Sequence, residues 1–413
     1  MKEATQFLPK LRFPEFVNLE PWKLSKIKEF IEEYRKVSTS QDEFEILTSS
    51  KDGLVLQKDY FNNNERILNR DNIGFNIIPE GYITYRSRSD NNTFFFNQNK
   101  LGFTGIISNY YPVFKIKKGS NNFFIYSFAK YSALLGKHSV GTSQTVLSLK
   151  SLKNISIPLP AIEEQEKIAK TLTSIDELIS ASEQKLKLLE QQKKGLLQNL
   201  FPQNEETIPK LRFPEFKEKA EWQYTKLEDL ISVHKEKVSS DTSIPIYSST
   251  REGLKLQTDY YNNRNVINEG SYGIVPKDYF VYRHMSDDDI FKFNLNKTEG
   301  DIAVSKEYPV FRVESNLSSD FLMYLLNYGH EFRKFAIMQK KGGTRTRLYF
   351  KVLQTFSPLL PSFEEQIKIA QTLISHDELI TSQMLKIQFL LKHKQGLMQQ
   401  LFPNIESELK HNE

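Results

Sequence analysis

The sequence predicts an α+β protein made of two related globular domains, each followed by one long helix. Three observations support this fold class. The chain repeats itself at a spacing of about 200 residues, each copy begins with about 160 residues of short β-type segments, and each copy ends in about 40 residues with a heptad pattern. With 413 residues, the chain is long enough for several domains with full hydrophobic cores.

The repeat consists of matching blocks that extend over most of the chain. The octapeptide PKLRFPEF occupies residues 9–16 and 209–216, and Trp22 and Trp222 have the same offset of 200. The offset is 197 between Tyr85 and Tyr282, and it is 201 further along the chain. A period of this length indicates a duplicated domain, and two copies predict an internal pseudo-two-fold repeat. A tandem duplication without functional meaning is the alternative.

The first part of each copy is typical of a mixed α/β domain. Aromatic and β-branched residues form short runs separated by Asn, Gly, Ser and Asp, which favours strands joined by turns. We therefore predict globular domains at residues 1–160 and 202–360. Strands are expected at residues 81–86, 94–96, 113–116, 279–283 and 303–304, and helices at 123–135 and 320–335.

The last part of each copy predicts a long helix, in residues 161–201 and 361–413. Apolar positions alternate spacings of four and three from Ile168 to Leu200, and the same pattern recurs 201 residues later. About 35 helical residues span roughly 50 Å. Such a seam needs a partner helix, and the simplest arrangement packs the two helices antiparallel as a coiled-coil spacer. Homodimerisation through the same seam is the alternative.

Composition excludes several classes of protein. The absence of Cys excludes disulfide frameworks, thiolate zinc sites and Cys nucleophiles. No apolar run reaches the roughly 20 residues needed to span a bilayer, and the chain begins without a signal-peptide pattern. We therefore expect a cytoplasmic protein without a membrane partner. Residues 1–160 hold 22 basic against 15 acidic residues, which leaves a basic surface possible there.

Motifs for catalysis are absent from the sequence. There is no Walker A loop, nucleophile elbow, His-Glu-x-x-His helix or glycine-rich dinucleotide loop, and no pair of histidines has metal-ligand spacing. We therefore expect no enzyme activity, no catalytic residue, no metal site and no cofactor in this chain.

Candidate DNA-binding residues cluster in a glycine-rich loop near the end of the second globular part. Residues 340–347, KKGGTRTR, include Lys341, Thr344, Arg345 and Arg347, and the first copy has Ser143 and Gln144 in the matching segment. Arg pairs well with guanine and Gln with adenine in the major groove, so the exchange of Gln144 for Arg345 could change the base that is read. A solvated loop is the alternative.

Further candidates lie next to predicted strands and in a predicted turn shared by both copies. Their side chains can reach phosphates or base edges, although structural salt bridges and solvated faces would explain them too. These candidates are Ser50, Lys51, Arg86, Arg88, Lys117, Thr250, Arg251, Arg283 and His284. Tyr60, Phe61, Tyr260 and Tyr261 are expected to belong to the core rather than to a platform for base stacking.

The chain resembles the specificity (S) subunits of type I restriction-modification systems. The resemblance is carried by Lys-Leu-Arg-Phe-Pro-Glu-Phe followed by Trp at the start of each copy, and by Glu164-Gln165 and Glu365-Gln366 where the helices begin. Residues 194–198, Lys-Gly-Leu-Leu-Gln, close the first helix, and the second closing sequence, Gln395-Gly396-Leu397-Met398-Gln399, departs slightly. The match covers essentially the full length.

The resemblance implies two target recognition domains, each reading one half of a bipartite double-stranded DNA site. It also implies that the two helices form the spacer between these domains and dock two modification (M) subunits, while restriction (R) subunits join in the full complex. S-adenosylmethionine, ATP and Mg would then belong to those partner subunits. Two other functions remain open: a stand-alone enzyme that modifies or cuts DNA, and a coiled-coil scaffold without a DNA role.

Overall fold

The computed structural model describes residues 7–51, 53–61, 71–203, 206–261, 270–340 and 345–405. The chain divides into two compact units: unit 1 comprises Met1–Glu183 and Lys386–Glu413, and unit 2 comprises Gln184–Leu385. The predicted Lys341 and Thr344 lie outside the described residues. Among the helices described, none is both long and apolar enough to cross a membrane.

Unit 1 contains short strands and helices followed by the first long helix. Its described strands are β1 (Lys23–Lys26), β2 (Ile31–Tyr34), β3 (Leu47–Ser50), β4 (Gly53–Leu56), β5 (Asn76–Ile78), β6 (Ile83–Tyr85), β7 (Arg88–Ser89), β8 (Phe96–Gln98), β9 (Gly105–Ile107), β10 (Val113–Ile116), β11 (Thr145–Val146) and β12 (Ser156–Leu159). Its described α-helices are α1 (Gln57–Tyr60), α2 (Asn121–Lys130), α3 (Ser132–Lys137), α4 (Leu149–Asn154) and the first part of α5 (Ile162–Asn199). The turns Pro14–Phe16 and Ile27–Glu29 are 3-10 helices.

The central sheet of unit 1 is antiparallel, with the described strands in the order β2, β10, β6 and β8. The other described strands of unit 1 form the hairpin of β3 and β4 and the pairs β5–β9, β1–β12 and β7–β11. Phe114 on β10 is fully buried and belongs to the same core as Phe123 and Phe124 of α2. The core also includes Trp22, Leu172 on α5, and Phe402, which follows the second long helix.

Unit 2 contains the second globular part and the remaining helix segments. Its described strands are β13 (Gln223–Tyr224), β14 (Ile231–His234), β15 (Lys237–Ser239), β16 (Tyr247–Thr250), β17 (Gly253–Leu256), β18 (Ser271–Val275), β19 (Phe280–Tyr282), β20 (Met285–Ser286), β21 (Phe293–Leu295), β22 (Ile302–Ser305), β23 (Val310–Val313), β24 (Thr346–Arg347) and β25 (Leu359–Leu360). Its described α-helices are α6 (Gln257–Tyr260), α7 (Ser319–Tyr328), α8 (His330–Met338), α9 (Phe350–Gln354) and the first part of α10 (Phe363–Gln400). The turns Pro214–Phe216 and Leu227–Asp229 are 3-10 helices.

The central sheet of unit 2 has the described strands in the order β14, β23, β19 and β21, again antiparallel. Each of these strands matches, by sequence offset, the strand at the same place in the unit 1 sheet. Trp222 and Phe311 are buried in the core of unit 2, together with Phe201 at the end of α5 and Leu373 on α10.

Two predicted helices are each interrupted. The segment expected at 123–135 forms α2 and α3, and the segment expected at 320–335 forms α7 and α8. Ser120 and Ser318 cap the first helix of each pair by accepting hydrogen bonds from backbone N–H groups of Phe123 and Phe321. The first helix pair is interrupted at Tyr131. The second pair is interrupted at Gly329, where an added Cβ would come within 2.4 Å of the Leu325 carbonyl oxygen. Only glycine fits there without a shift of the chain.

The two long helices each extend over 38 residues. Positions of the predicted seam are buried or half-buried along both helices, whereas most positions between them are exposed. In unit 1, Lys394 on α10 lies 2.5 Å from the Asp176 carboxylate on α5. In unit 2, Lys193 on α5 lies 2.5 Å from Asp377 on α10. The two lysines of the seam are therefore ion-paired within their own units.

Candidate nucleic-acid interface

A hairpin turn in unit 1 presents Ser50 and Lys51. Ser50 pairs with Gly53 across the turn, and Gly53 has a φ of +130°, which other residues rarely adopt. The Asn97 amide on β8 donates hydrogen bonds to Ser49 Oγ and to the Ser50 carbonyl oxygen, both at 2.8 Å. The turn is therefore held against the central sheet while the Lys51 side chain remains exposed.

Unit 2 builds the same turn with Thr250 and Arg251. The Asn294 amide on β21 donates to Ser249 Oγ at 2.8 Å and to the Thr250 carbonyl oxygen at 3.0 Å. Arg251 is exposed, and its guanidinium lies 2.6 Å from the Asp288 carboxylate. A positioned cation is thus presented at this turn in each unit.

Arg86 and Arg283 directly follow the central strands β6 and β19, and both are exposed. The preceding tyrosines, Tyr85 and Tyr282, are fully buried and donate hydrogen bonds to the carbonyl oxygens of Leu147 and Leu348, at 2.9 and 3.0 Å. Burial raises the pKa of both hydroxyls above the usual range, so they remain protonated donors. These bonds join each central sheet to the segment that carries Gln144 or Arg345.

Gln144 and Arg345 lie beside corresponding acidic turns. The Gln144 amide donates to Asp90 Oδ1 at 3.0 Å in unit 1, and Arg345 Nε donates to Asp287 Oδ1 at 2.7 Å in unit 2. The offsets of 201 and 197 make these two pairs equivalent. Ser143 is exposed next to Gln144. The structure therefore places the amide and the guanidinium at the same position of the two units.

In unit 2 several candidates line one polar groove of about 460 Å³. Thr250, Arg251 and Arg283 contribute to it, and so do Tyr260 and Tyr261. Those two tyrosines are 48% and 38% exposed, and Tyr60 in unit 1 is 53% exposed. The expectation that these tyrosines belong to the core is therefore wrong. Tyr60 and Tyr260 are the last residues of one-turn helices, and Tyr261 follows directly, so their rings lie at the surface, where flat rings can stack on bases.

Two other predicted residues, Lys117 and His284, do not contribute to this groove. Lys117 is exposed and directly follows the last residue of β10. Arg86 follows β6, which runs antiparallel to β10, so Arg86 lies near the opposite end of β10. His284 is half-buried, and its ring stacks on Tyr349 with centroids 5.5 Å apart.

Arg88 and Arg347 lie on the short outer strand pairs β7–β11 and β20–β24. Arg88 covers the ring of Tyr110, with 4.3 Å between the guanidinium carbon and the ring centroid. Arg347 pairs with Met285 across the two strands and is exposed. Both arginines therefore lie near the acidic turns but outside the groove lining described above.

The repeated PKLRFPEF segment and its tryptophan have a structural role. Arg12 donates two hydrogen bonds to the carboxylate of Glu164 at the start of α5, at 2.9 and 2.7 Å, and Trp22 Nε1 donates to the same carboxylate at 3.3 Å. Arg212, Trp222 and Glu365 form the same contacts in unit 2. The motif therefore fastens the start of each globular part to the beginning of a long helix.

Two features of the candidate interface were missed from the sequence: the exposed tyrosines and the acidic turns at residues 90–92 and 287–289. The repeat contained a signal for the acidic turns, because Asp90 and Asp287 occupy equivalent positions of the two copies, and so do Gln144 and Arg345. Because those partners are 54 and 58 residues apart in the chain, only the strand pairing brings them together.

Comparison with known proteins gives consistent matches. Residues 19–191 match the family described as type I restriction modification DNA specificity domain. Over 299 residues the chain is 26% identical to the MjaVIII type I restriction enzyme specificity subunit of Methanocaldococcus jannaschii, covering 67% of this chain and 68% of that protein. A shorter match to the MjaX specificity subunit of the same organism is 39% identical over 59 residues and covers 14% of each protein.

The fold also has a counterpart among solved structures. The S subunit of a type I restriction-modification system from M. genitalium superposes with a TM-score of 0.57 at 12% identity, covering 96% of this chain and 99% of that one. At that level of identity the likeness concerns the fold.

Proposed function

We propose that this chain is a specificity subunit of a type I restriction-modification system and supplies the DNA sequence specificity of such a complex. The family match over residues 19–191 and the likeness to the MjaVIII specificity subunit support the proposal. Each globular domain would read one half of a bipartite site in double-stranded DNA. The observation that carries the proposal is the recurrence of one constellation in both units: a cation on a fastened hairpin turn, an arginine after a central strand, and Gln144 or Arg345 beside an acidic turn.

The chemistry of this constellation suits DNA. Exposed Arg and Lys side chains neutralise phosphates, and Arg and Gln can each form bidentate hydrogen bonds with a base edge. Because Gln144 and Arg345 occupy equivalent positions, we propose that they contribute to different readings, adenine in one half-site and guanine in the other. The central sheets of both domains have the same strand order, so we also expect the half-sites to share some base pairs in inverted orientation.

The long helices are proposed to pair antiparallel as a coiled-coil spacer. In unit 1 the early part of α5 is ion-paired with the late part of α10, through Asp176 and Lys394. In unit 2 the late part of α5 is ion-paired with the early part of α10, through Lys193 and Asp377. Each ion pair joins the early part of one helix to the late part of the other, which supports antiparallel directions of α5 and α10. The domain limits proposed are 1–160, 161–201, 202–360 and 361–413.

The outward face of these helices is proposed to dock two modification subunits. Large apolar side chains are exposed along both helices, and exposed apolar surface of this kind is typical of a site that binds a protein partner. These residues are Leu178, Leu188, Leu379, Met384, Leu385 and Phe389. Restriction subunits would join the same complex. We assign no catalysis to this chain and place S-adenosylmethionine, ATP and Mg in the partner subunits, with the complex in the cytoplasm.

The test is a map of adenine methylation in cells that express this chain together with a matching modification subunit. The expected result is one bipartite motif, methylated on both strands and lost when the chain is omitted. Stable complex formation without a motif that depends on the chain would contradict the proposal and favour a scaffold. Methyl transfer by the purified chain alone would instead favour a stand-alone enzyme.

A further inference from the structure

The acidic turn of unit 2, Asp287–Asp289, contacts three cations near the proposed DNA face. Asp287 lies 2.7 Å from Arg345, Asp288 lies 2.6 Å from Arg251, and Asp289 lies 3.2 Å from Lys340. The three basic side chains are 52%, 64% and 45% exposed, so none of the pairs is buried in the core. Three consecutive carboxylates thus neutralise basic groups that are otherwise available to phosphates.

The corresponding turn of unit 1 is Asp90-Asn91-Asn92, at an offset of 197. Ser89 Oγ lies 2.9 Å from Asn91 Oδ1, and Ser286 Oγ lies 2.8 Å from Asp288 Oδ1. The third residue is left-handed in both turns, with φ of +60° at Asn92 and +61° at Asp289. The turn therefore has the same backbone shape with neutral amides at its second and third positions, and an amide oxygen at position 289 can still accept the hydrogen bond that Asp289 takes from the Thr346 hydroxyl.

The charges of Asp288 and Asp289 therefore require an explanation other than the shape of the turn. In unit 1 the equivalent of Arg251 is Lys51, which is exposed and has no carboxylate partner among the described residues. Of the three carboxylates in the turn of unit 2, only Asp287 has an acidic counterpart in unit 1, which is Asp90. The hydrogen-bond partner of Asp90, Gln144, is neutral. The ion pairs of Asp288 with Arg251 and Asp289 with Lys340 thus distinguish unit 2 from unit 1.

Resting on the DNA-binding function proposed above, we propose that Asp288 and Asp289 are specificity-determining residues that restrain Arg251 and Lys340 and lower the affinity of unit 2 for non-cognate DNA. Sequence-independent binding comes mainly from cations that neutralise phosphates. A phosphate that approaches either cation must displace a carboxylate and also experiences its repulsion. Hydrogen bonds to base edges from neutral groups such as Thr250 are not weakened in this way, so the ratio of cognate to non-cognate affinity rises.

The test uses the double variant Asp288→Asn/Asp289→Asn, which gives unit 2 the turn sequence of unit 1. Binding of the assembled complex to a cognate duplex and to one with a scrambled unit 2 half-site is measured from about 50 to about 200 mM salt. We expect non-cognate affinity to rise several-fold, with cognate affinity changing less. Each freed cation that reaches a phosphate should steepen the slope of log affinity against log salt by about 0.9.

The matched control is Asp278→Asn/Asp320→Asn, which also removes two carboxylates from unit 2. Both of these aspartates contact Lys297, at 3.0 and 3.2 Å, and Asp278 is also left-handed, with φ of +64°. Asp278 precedes β19, whereas Arg283 follows it, so the control removes equal charge at the other end of that strand. An equal effect of the control would overturn the proposal.

The reverse exchange in unit 1, Asn91→Asp, supplies an independent test, because Asn91 corresponds to Asp288 and Lys51 corresponds to Arg251. It should lower non-cognate affinity and flatten the salt dependence. Unchanged specificity ratios in both exchanges, in a complex whose methylation motif depends on the chain, would refute this inference and leave the proposed function intact. A wild-type complex that produces no methylation motif dependent on this chain would instead refute the proposed function itself.

Discussion

The Arg212 guanidinium donates hydrogen bonds to both carboxylate oxygens of Glu365, at 2.9 and 2.8 Å, across 153 positions of the sequence. The side chains are only 5% and 1% exposed. Two carbonyl oxygens, of Lys219 and Ala220, accept the remaining guanidinium hydrogen bonds that the structure shows. This buried pair therefore connects the start of the second globular part to the first turn of α10.

Replacing Arg212→Ala should destabilise unit 2 by about 3 kcal/mol, because it leaves Glu365 buried without its partner. The measurement is urea unfolding followed by tryptophan fluorescence in a Trp22→Phe background, where Trp222 is the remaining tryptophan of the two. The control is Lys368→Ala, which removes an ion pair with Glu215 whose side chains are 47% and 49% exposed. Its expected cost is below about 1 kcal/mol. Equal costs for both variants would show that the buried pair adds no particular stability.

Replacing Asp377→Ala should lower the stability of unit 2 by about 1 kcal/mol. The carboxylate accepts a hydrogen bond from the Tyr324 hydroxyl at 2.7 Å and faces Lys193, while it remains 37% exposed, so water compensates part of the loss. Urea unfolding checks the result, with Glu378→Ala on an exposed neighbouring position as the control. A cost at Asp377 no larger than at Glu378 would exclude this contact as a link between α5 and α10.

Replacing Arg345→Ala should weaken binding to the half-site read by unit 2 by about 1 to 3 kcal/mol if its contact with the base is bidentate, and should leave assembly intact. The measurement compares affinities of the assembled complex for duplexes altered in one half-site at a time. Lys277→Ala is the control, since Lys277 is an exposed cation that precedes β19, away from Arg283. Unchanged affinity for the native site would remove Arg345 from the set of reading residues.

Replacing Glu33→Gln should reduce the stability of unit 1 by about 1 kcal/mol at neutral pH, a value discounted for the exposure of its partner Arg35. Hydrogen bonds from Arg35, and then from Lys153, lower the pKa of Glu33 from 4.5 to about 2. A lowered pKa stabilises the folded state above 4.5, and that contribution disappears as the pH falls toward 2. The difference between wild type and variant should therefore shrink over this range.

Urea unfolding at several pH values, in a Trp222→Phe background, measures this dependence in unit 1. Glu32→Gln, which removes an exposed pair with Lys115, serves as the control and should cost less than about 0.5 kcal/mol at neutral pH. A difference between wild type and Glu33→Gln that stays constant down to about pH 2 would contradict the assignment of the low pKa to Glu33.

The α+β composition and the two long helices could be predicted because their signals are local and periodic. The seam from Ile168 to Leu200 repeats every seven residues, and a pattern with that period indicates a helix even before its partner is known. Strand positions such as 113–116 also agreed with the structure, since β-branched and aromatic residues suit a pleated surface. The breaks at Tyr131 and Gly329 were not predicted, because the apolar pattern continues across both residues.

The arrangement of the interface depended on contacts between distant residues. Nothing in the local sequence of Tyr260 distinguishes a buried ring from an exposed one, and only the packing of its short helix leaves the ring at the groove. The pairing of Arg251 with Asp288 likewise follows from the strands that bring residues 37 positions apart together. The repeat, the helices and the candidate cations could thus be inferred from the order of residues, because periodicity and residue type act locally. Which cations are neutralised was decided by tertiary structure, because electrostatic interactions depend on distances in space rather than on separation along the chain.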